Sequence, residues 1–167
     1  GVILSLQSAW VLGIDRTLVT ILHKLGMRIL QLTYMERNTL GSGCFEPVDL
    51  GLTSFGKQVV REMNRVGMVV DLSHGGYKTT MDAIATSQDP CVFTHANVRK
   101  LTDHPRNLQD DQIKACAERG GVIGLTPYAA YNEPSPGVRP TLENYLDHLE
   151  YAIDVAGIDH IGLGTDF

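Results

Sequence analysis

Cysteine is scarce and poorly placed for cross-linking: Cys44, Cys91 and Cys116 are an odd number at wide spacing, with no Cys-x-x-Cys. That argues against a disulfide framework and against a thiolate zinc site, and the three thiols are expected to be reduced and mostly buried. A basic excess is also missing. With 14 Lys+Arg against 19 Asp+Glu the chain has no basic stripe to neutralise a phosphate backbone, so no nucleic-acid partner is expected. The longest apolar runs are strand-sized, as at residues 121–125, and none is long enough for a membrane-spanning helix. What is present is the composition of an ordinary folded domain, 43% hydrophobic and 20% charged, which excludes disorder, collagen and coiled coil. A domain of this size buries roughly 70% of its unfolded surface, enough for a core without staples.

Six short apolar runs, at residues 2–7, 28–34, 68–74, 91–95, 121–127 and 160–167, are predicted as buried strands from their length and their Val, Ile and Leu content. Helical patterns fill the gaps. Asp15 opens one with Leu18, Ile21, Leu22 and Leu25, stopped by Gly26; Thr53 opens another with Val59, Val60, Met63 and Val66, stopped by Gly67. Residues 77–86 make a third, Asp110 opens a fourth that Gly120 ends, and Thr141 opens a fifth that runs to Gly157. Strand alternating with helix implies an α/β fold with a parallel sheet, doubly wound or closed as a barrel. A complete eight-unit barrel takes about 250 residues, so five or six units fit here. The long loops, 36–52 and 129–140, follow strand C-terminal ends, where such folds keep their chemistry.

The polar residues at those ends carry the functional signal. His74 and His95 each close an apolar strand, and period-two alternation would put both at one rim, facing the barrel axis. The last strand brings Asp166 to the same rim. Imidazole and carboxylate suit zinc and similar divalent ions, and a carboxylate beside a metal-activated water can take its proton. One such histidine alone is more often structural; two in matching positions with an acid favour a metal site. His23 and His148 fall in helical patterns and His160 at the opposite rim, so these three are expected to be solvated or structural. His104 is open between the two, and Asp71 is expected in a buried polar contact. Arg106 has the fork that pairs with a substrate carboxylate, or else makes a surface salt bridge. Tyr128 and Tyr131 lend hydroxyls to a polarised carbonyl or serve as packing. The turn at 40–43 lacks the lysine and serine of a P-loop.

Six motifs in order, Gly51-Leu-Thr-x-Phe-Gly56, Val60-x-Glu-Met-Asn-Arg-x-Gly-Met68, Asp71-Leu-Ser-His74, Thr94-His95, Pro105-Arg-Asn107 and Gly162-x-Gly-Thr-Asp-Phe167, resemble the renal, or membrane, dipeptidase family over nearly the whole chain. The resemblance implies a (β/α)8 barrel of the amidohydrolase superfamily and a zinc-dependent hydrolase of dipeptides, with one or two Zn2+ per complete site. It implies that His74 and His95 hold metal, that Asp166 handles the proton, and that Arg106 contacts substrate. Two positions depart. Gln7 stands where the family has a metal-bridging glutamate, and a neutral amide binds a cation far less well. Tyr34 stands where it has a substrate-binding histidine. The Gln and Tyr pair resembles a bacterial branch of the family.

No His-x-Asp, the family's other metal pair, occurs in the sequence. The six strands therefore match the third to eighth of the barrel, and residues 1–167 are expected to be a single incomplete barrel domain, an internal fragment. The expected partners are a small peptide substrate, the remaining barrel strands and, as an open assembly state, a homodimer; the expected compartment is the cytoplasm. Such a fragment is expected to be weakly active at best. Two rivals stay open: a metal-free isomerase or lyase with His74 or His95 as general base, and a non-catalytic relative marked by Gln7 and Tyr34.

Overall fold

The structure is a computed structural model that describes residues 1–166; Phe167, the end of the last predicted strand, lies outside them. The chain divides into two compact units, Gly1–Val92 and Phe93–Phe167.

In the first unit β1 (Leu4–Leu6), β2 (Met27–Gln31), β3 (Val69–Asp71) and the opening residues of β4 (Cys91–Ala96) run parallel. Their register stacks Leu30, Val70 and Cys91 in one row, and all three are buried. Parallel strands need crossovers, and three helices supply them: α1 (Thr17–Lys24), α2 (Ser54–Val66) and α3 (Tyr77–Thr86). Local chemistry sets their ends. Asp15 accepts from the Thr17 amide and hydroxyl, bonds that hold its carboxyl below the usual range. Thr53 Oγ1 accepts from the Gly56 amide, and Gly67, at φ 77°, stops α2 in the left-handed conformation. α2 buries Val59, Val60 and Met63 completely. Its Glu62, gripped by Arg65, is held down at about 2 and also accepts from Thr20 of α1.

In the second unit the rest of β4 is followed by α4 (Asp110–Glu118), β5 (Val122–Leu125), α5 (Leu142–Ala156) and β6 (Ile161–Leu163), with β5 and β6 parallel. Phe93, Ile113, Cys116, Ile123, Leu125 and Ala152 form its core. Gln109 caps α4 reciprocally with Gln112, and Thr141 caps α5 with Asn144. Two glycines let the backbone close up here. A Cβ at Gly124 or at Gly164 would run into the carbonyl oxygen of Thr94 in β4.

Three expectations need correction. Five of the six strands, three to five residues long, are shorter than their apolar runs because the chain leaves the ladder early, whereas β4 covers all of 91–95 and one residue more. After β3 it folds into a turn in which Asp71 accepts from the Ser73 amide and Gly75 donates to the Leu72 carbonyl. The run at 2–7 is not a buried strand either. Its β1 pairs with β2 alone among the described residues, so Val2, Ile3 and Leu4 stay exposed. On α1 the expected apolar face is only partly used, with Val19 buried and Ile21 and Leu25 exposed. None of the three cysteines is in a disulfide; Cys91 and Cys116 are buried and Cys44 is partly so. No helix among the described residues is long and apolar enough to cross a membrane.

Candidate active site

In the first unit the structure brings together Gln7, Tyr34 and His74. Gln7 follows β1 directly, and its amide nitrogen lies 3.4 Å from His74 Nε2. The Tyr34 ring, half exposed, stacks on the imidazole with centroids 4.3 Å apart. His74 itself is buried, but it is not on a strand: β3 ends at Asp71, and His74 occupies a turn at φ 65°. The alternation expected to aim it therefore has no hold there. Its direction comes from backbone bonds around the turn, including the Cys44 amide donating to its carbonyl at 2.8 Å.

The second unit gathers His95, Asp166, Arg106 and Tyr131. His95 is within β4, on the same face as buried Cys91 and Phe93, as alternation requires. Its Nδ1 lies 2.9 Å from Thr94 Oγ1 and its Nε2 lies 3.9 Å from Asp166 Oδ1. With the proton on Nδ1 the ring donates to the threonine, and the Nε2 lone pair faces a carboxylate oxygen. Asp166 stands three residues past β6 at φ 59°, a left-handed backbone that aspartate tolerates better than most residues. The close packing of Gly164 on the Thr94 carbonyl is what brings that segment in beside β4.

Arg106 is buried, which removes the surface salt-bridge reading. Its Nη2 donates to the His95 carbonyl and its guanidinium sits 5.6 Å from the Tyr131 ring centroid. Tyr131 is buried too, packed between Tyr128 and His104 with centroids 4.6 and 4.9 Å away. His104 Nδ1 accepts from the Arg106 amide; burial first, and then the Arg106 charge, lower its pKa. The other histidines are structural where bonds are seen. His148 Nδ1 accepts from the Val98 amide, its Nε2 faces Thr102 Oγ1 at 3.2 Å, and burial lowers its pKa to about 4. His160 Nδ1 meets the Gly121 carbonyl at 2.8 Å, and Asp71 is in the buried contact with Ser73.

Sequence reasoning missed three buried asparagines. Asn97 donates to the Thr126 carbonyl and accepts from the Thr126 amide, Asn107 donates to the carbonyls of Thr102 and Tyr131, and Asn132 donates to those of Thr126 and Tyr128. Together they fix the backbone that carries Tyr131. The signal available was position: Asn97 follows His95 by two residues and Asn107 follows Arg106.

The sequence pattern of the membrane dipeptidase family, peptidase family M19, matches residues 1–167. The chain belongs to that family. A dipeptidase of Clonostachys rogersoniana, verJ, is 38% identical over 151 residues, 87% of this chain but 37% of that relative. A solved amidohydrolase from Pseudomonas aeruginosa is 38% identical with TM-score 0.91, over 98% of this chain and 49% of its own. A metallo peptidase from Rhodobacter sphaeroides, solved with a phosphinate mimic of the dipeptide L-Ala-D-Ala, is 32% identical with TM-score 0.90, over 99% of this chain and 49% of its own. The chain thus spans about half of these solved chains and under half of the curated relative, and its parallel strands alternating with helices are those of a partial (β/α)8 barrel.

Members of this family include metallo peptidases, and the donors here fit a divalent ion in kind. With Asp166 Oδ1 3.9 Å from His95 Nε2, an ion held by that nitrogen would lie close enough for the carboxylate to reach a water on it. His74 offers a second buried imidazole, with a neutral amide beside it. Among the described residues no three His, Cys, Asp or Glu side chains gather into one shell.

Proposed function

We propose that the whole protein carrying this chain is a metal-dependent hydrolase of dipeptides, with zinc as its metal, one or two ions per site, and with His74 and His95 among the ligands. What supports this most is the pairing of His95 with Asp166 beside a buried arginine, in a chain of the M19 family. A divalent ion supplies two things to such chemistry: it lowers the pKa of water from about 16 to about 7, and it polarises the scissile carbonyl.

The chain's own residues do the rest. When Nδ1–H of His95 donates to Thr94 Oγ1, the ring proton is on Nδ1 and the Nε2 lone pair has a fixed direction. Asp166 Oδ1 takes the proton of the attacking water and passes it to the leaving amine, acting first as base and then as acid. Arg106 carries a buried positive charge toward which the substrate carboxylate is drawn; the Tyr131 ring beneath it and the His95 carbonyl hold the guanidinium plane. Tyr34 lies over His74 with half its surface open to solvent, positioned to contact substrate. Gln7 brings no charge to the His74 side, so the single-ion form is favoured.

The test is hydrolysis of a dipeptide panel by the whole protein, before and after a chelator. Turnover that a chelator abolishes and added zinc restores is the expected result. Turnover indifferent to chelation would overturn the metal reading in favour of a histidine base.

A further inference from the structure

His74 has to point its ring from a turn rather than from a strand, so something other than the sheet must hold that turn. The loop at 36–52 does. It grips residues 74–80 along its length: the Cys44 amide donates to the His74 carbonyl, the Gly76 amide to the Ser42 carbonyl, and Gly43 and Gly75 form an antiparallel bridge. The two segments approach too closely for side chains. A Cβ on Gly41 would lie 2.7 Å from Thr79 Cγ2, and one on Gly76 would lie 2.5 Å from Asp49 Oδ2.

Asp49 is the centre of this grip. The N-cap of α3 is Gly76, which has no side chain to accept from the first turn. Asp49, far away in sequence, takes that role. Its Oδ2 accepts from the amides of Lys78 and Thr79, while Oδ1 accepts from Thr79 Oγ1 at 3.1 Å and from the Gly51 amide at 2.9 Å. Thr79 Oγ1 also accepts from the Ser42 amide at 3.0 Å, so one hydroxyl ties the carboxylate to the strand-like stretch that holds His74. A carboxylate at the positive end of α3 gains from the helix dipole as well as from four donors.

Resting on the metal-dependent reading above, we propose that Asp49 is a positioning residue: by capping α3 from the loop it fixes the left-handed backbone of His74 and hence the direction in which that imidazole meets a metal. It touches neither substrate nor metal. The removal of outer residues that orient a ligand typically weakens metal binding by 10–100-fold, and Asp49 stands at the lower end because it acts through backbone.

The experiment measures the zinc dissociation constant of the whole protein by competition with a chromophoric chelator, for wild type, Asp49→Asn, Thr79→Val and Glu62→Gln. Hydrogen exchange of the Cys44 amide is followed in parallel. Asp49→Asn is expected to weaken zinc binding by about tenfold, and Thr79→Val by about threefold, with the Cys44 amide exchanging faster in both. Glu62→Gln, which removes the charge paired with Arg65 in α2 at the contact with Thr20 of α1, is expected to lower Tm without changing either readout. Thr79→Val carries the test if Asp49→Asn does not fold. A wild type that binds zinc together with variants that bind it equally well overturns the role of Asp49 alone. A wild type that binds no zinc overturns the metal-dependent reading and this inference with it.

Discussion

In the unit spanning Gly1–Val92 the candidate histidine is held by a turn and in the unit from Phe93 onward by a strand, and their neighbours differ in charge as much as in geometry. His74 owes its direction to backbone bonds from a distant loop and meets uncharged partners, the Gln7 amide and the Tyr34 ring. His95 inherits its direction from β4, and around it stand a carboxylate and a buried guanidinium. The strand-borne half therefore has the charged groups, which the proposed chemistry uses to move a proton and to attract an anion. The turn-borne half has only the uncharged Gln7 amide and Tyr34 ring among the contacts described for its imidazole.

The largest expected effect sharpens that division. Asp166→Asn in the whole protein keeps the shape of the side chain and removes its basicity; kcat is expected to fall by about 10²–10⁴-fold with zinc content unchanged. Equal loss of zinc and rate would instead make Asp166 a ligand and blur the contrast between the units. A smaller effect probes the uncharged side. Gln7→Glu puts an anion beside His74 Nε2, and zinc affinity is expected to rise on the order of tenfold, read by chelator competition. No change would mean that Gln7 lies outside the reach of the metal.

The smallest effect is one of stability and belongs to the second unit. Folded, His148 is neutral down to about 4, whereas in an unfolded chain it protonates near 6.5. Between those values the unfolded chain takes up the proton and the folded one does not, so stability is complete above about pH 6.5 and falls as pH drops toward 4. The loss is on the order of 2 kcal/mol. Urea unfolding at pH 7 and pH 4.5 measures it, and His148→Gln is expected to remove this part of the pH dependence. The same dependence in the variant would assign the effect to carboxylates.

These differences also decide what could be read from the sequence. Thr53, Gly67 and Thr141 announce helix ends because capping is local chemistry, and the alternation of Cys91, Phe93 and His95 survives into β4 because period two is a property of the strand itself. The geometry of His74 was not legible in that way. It depends on Asp49, Ser42 and Cys44, whose partners lie some thirty residues along the chain, and on glycines whose need for contact shows only once two segments meet. Arg106 illustrates the same limit. A loop position suggested an even choice between solvent and substrate, and only the packing of Tyr131 and the His95 carbonyl around it made it a buried charge. Exposed Val2, Ile3 and Leu4 are the converse case, apolar residues whose pattern is that of a core strand and whose only strand partner among the described residues is β2.

The central claim is that both imidazoles bind metal, and elemental analysis of the purified whole protein tests it most directly. Wild type, His74→Ala and His95→Ala are dialysed against the same trace zinc and their metal content compared. Bound zinc is expected in the wild type and a loss of most of it in each variant. Equal zinc in all three, or none in the wild type, would contradict the assignment.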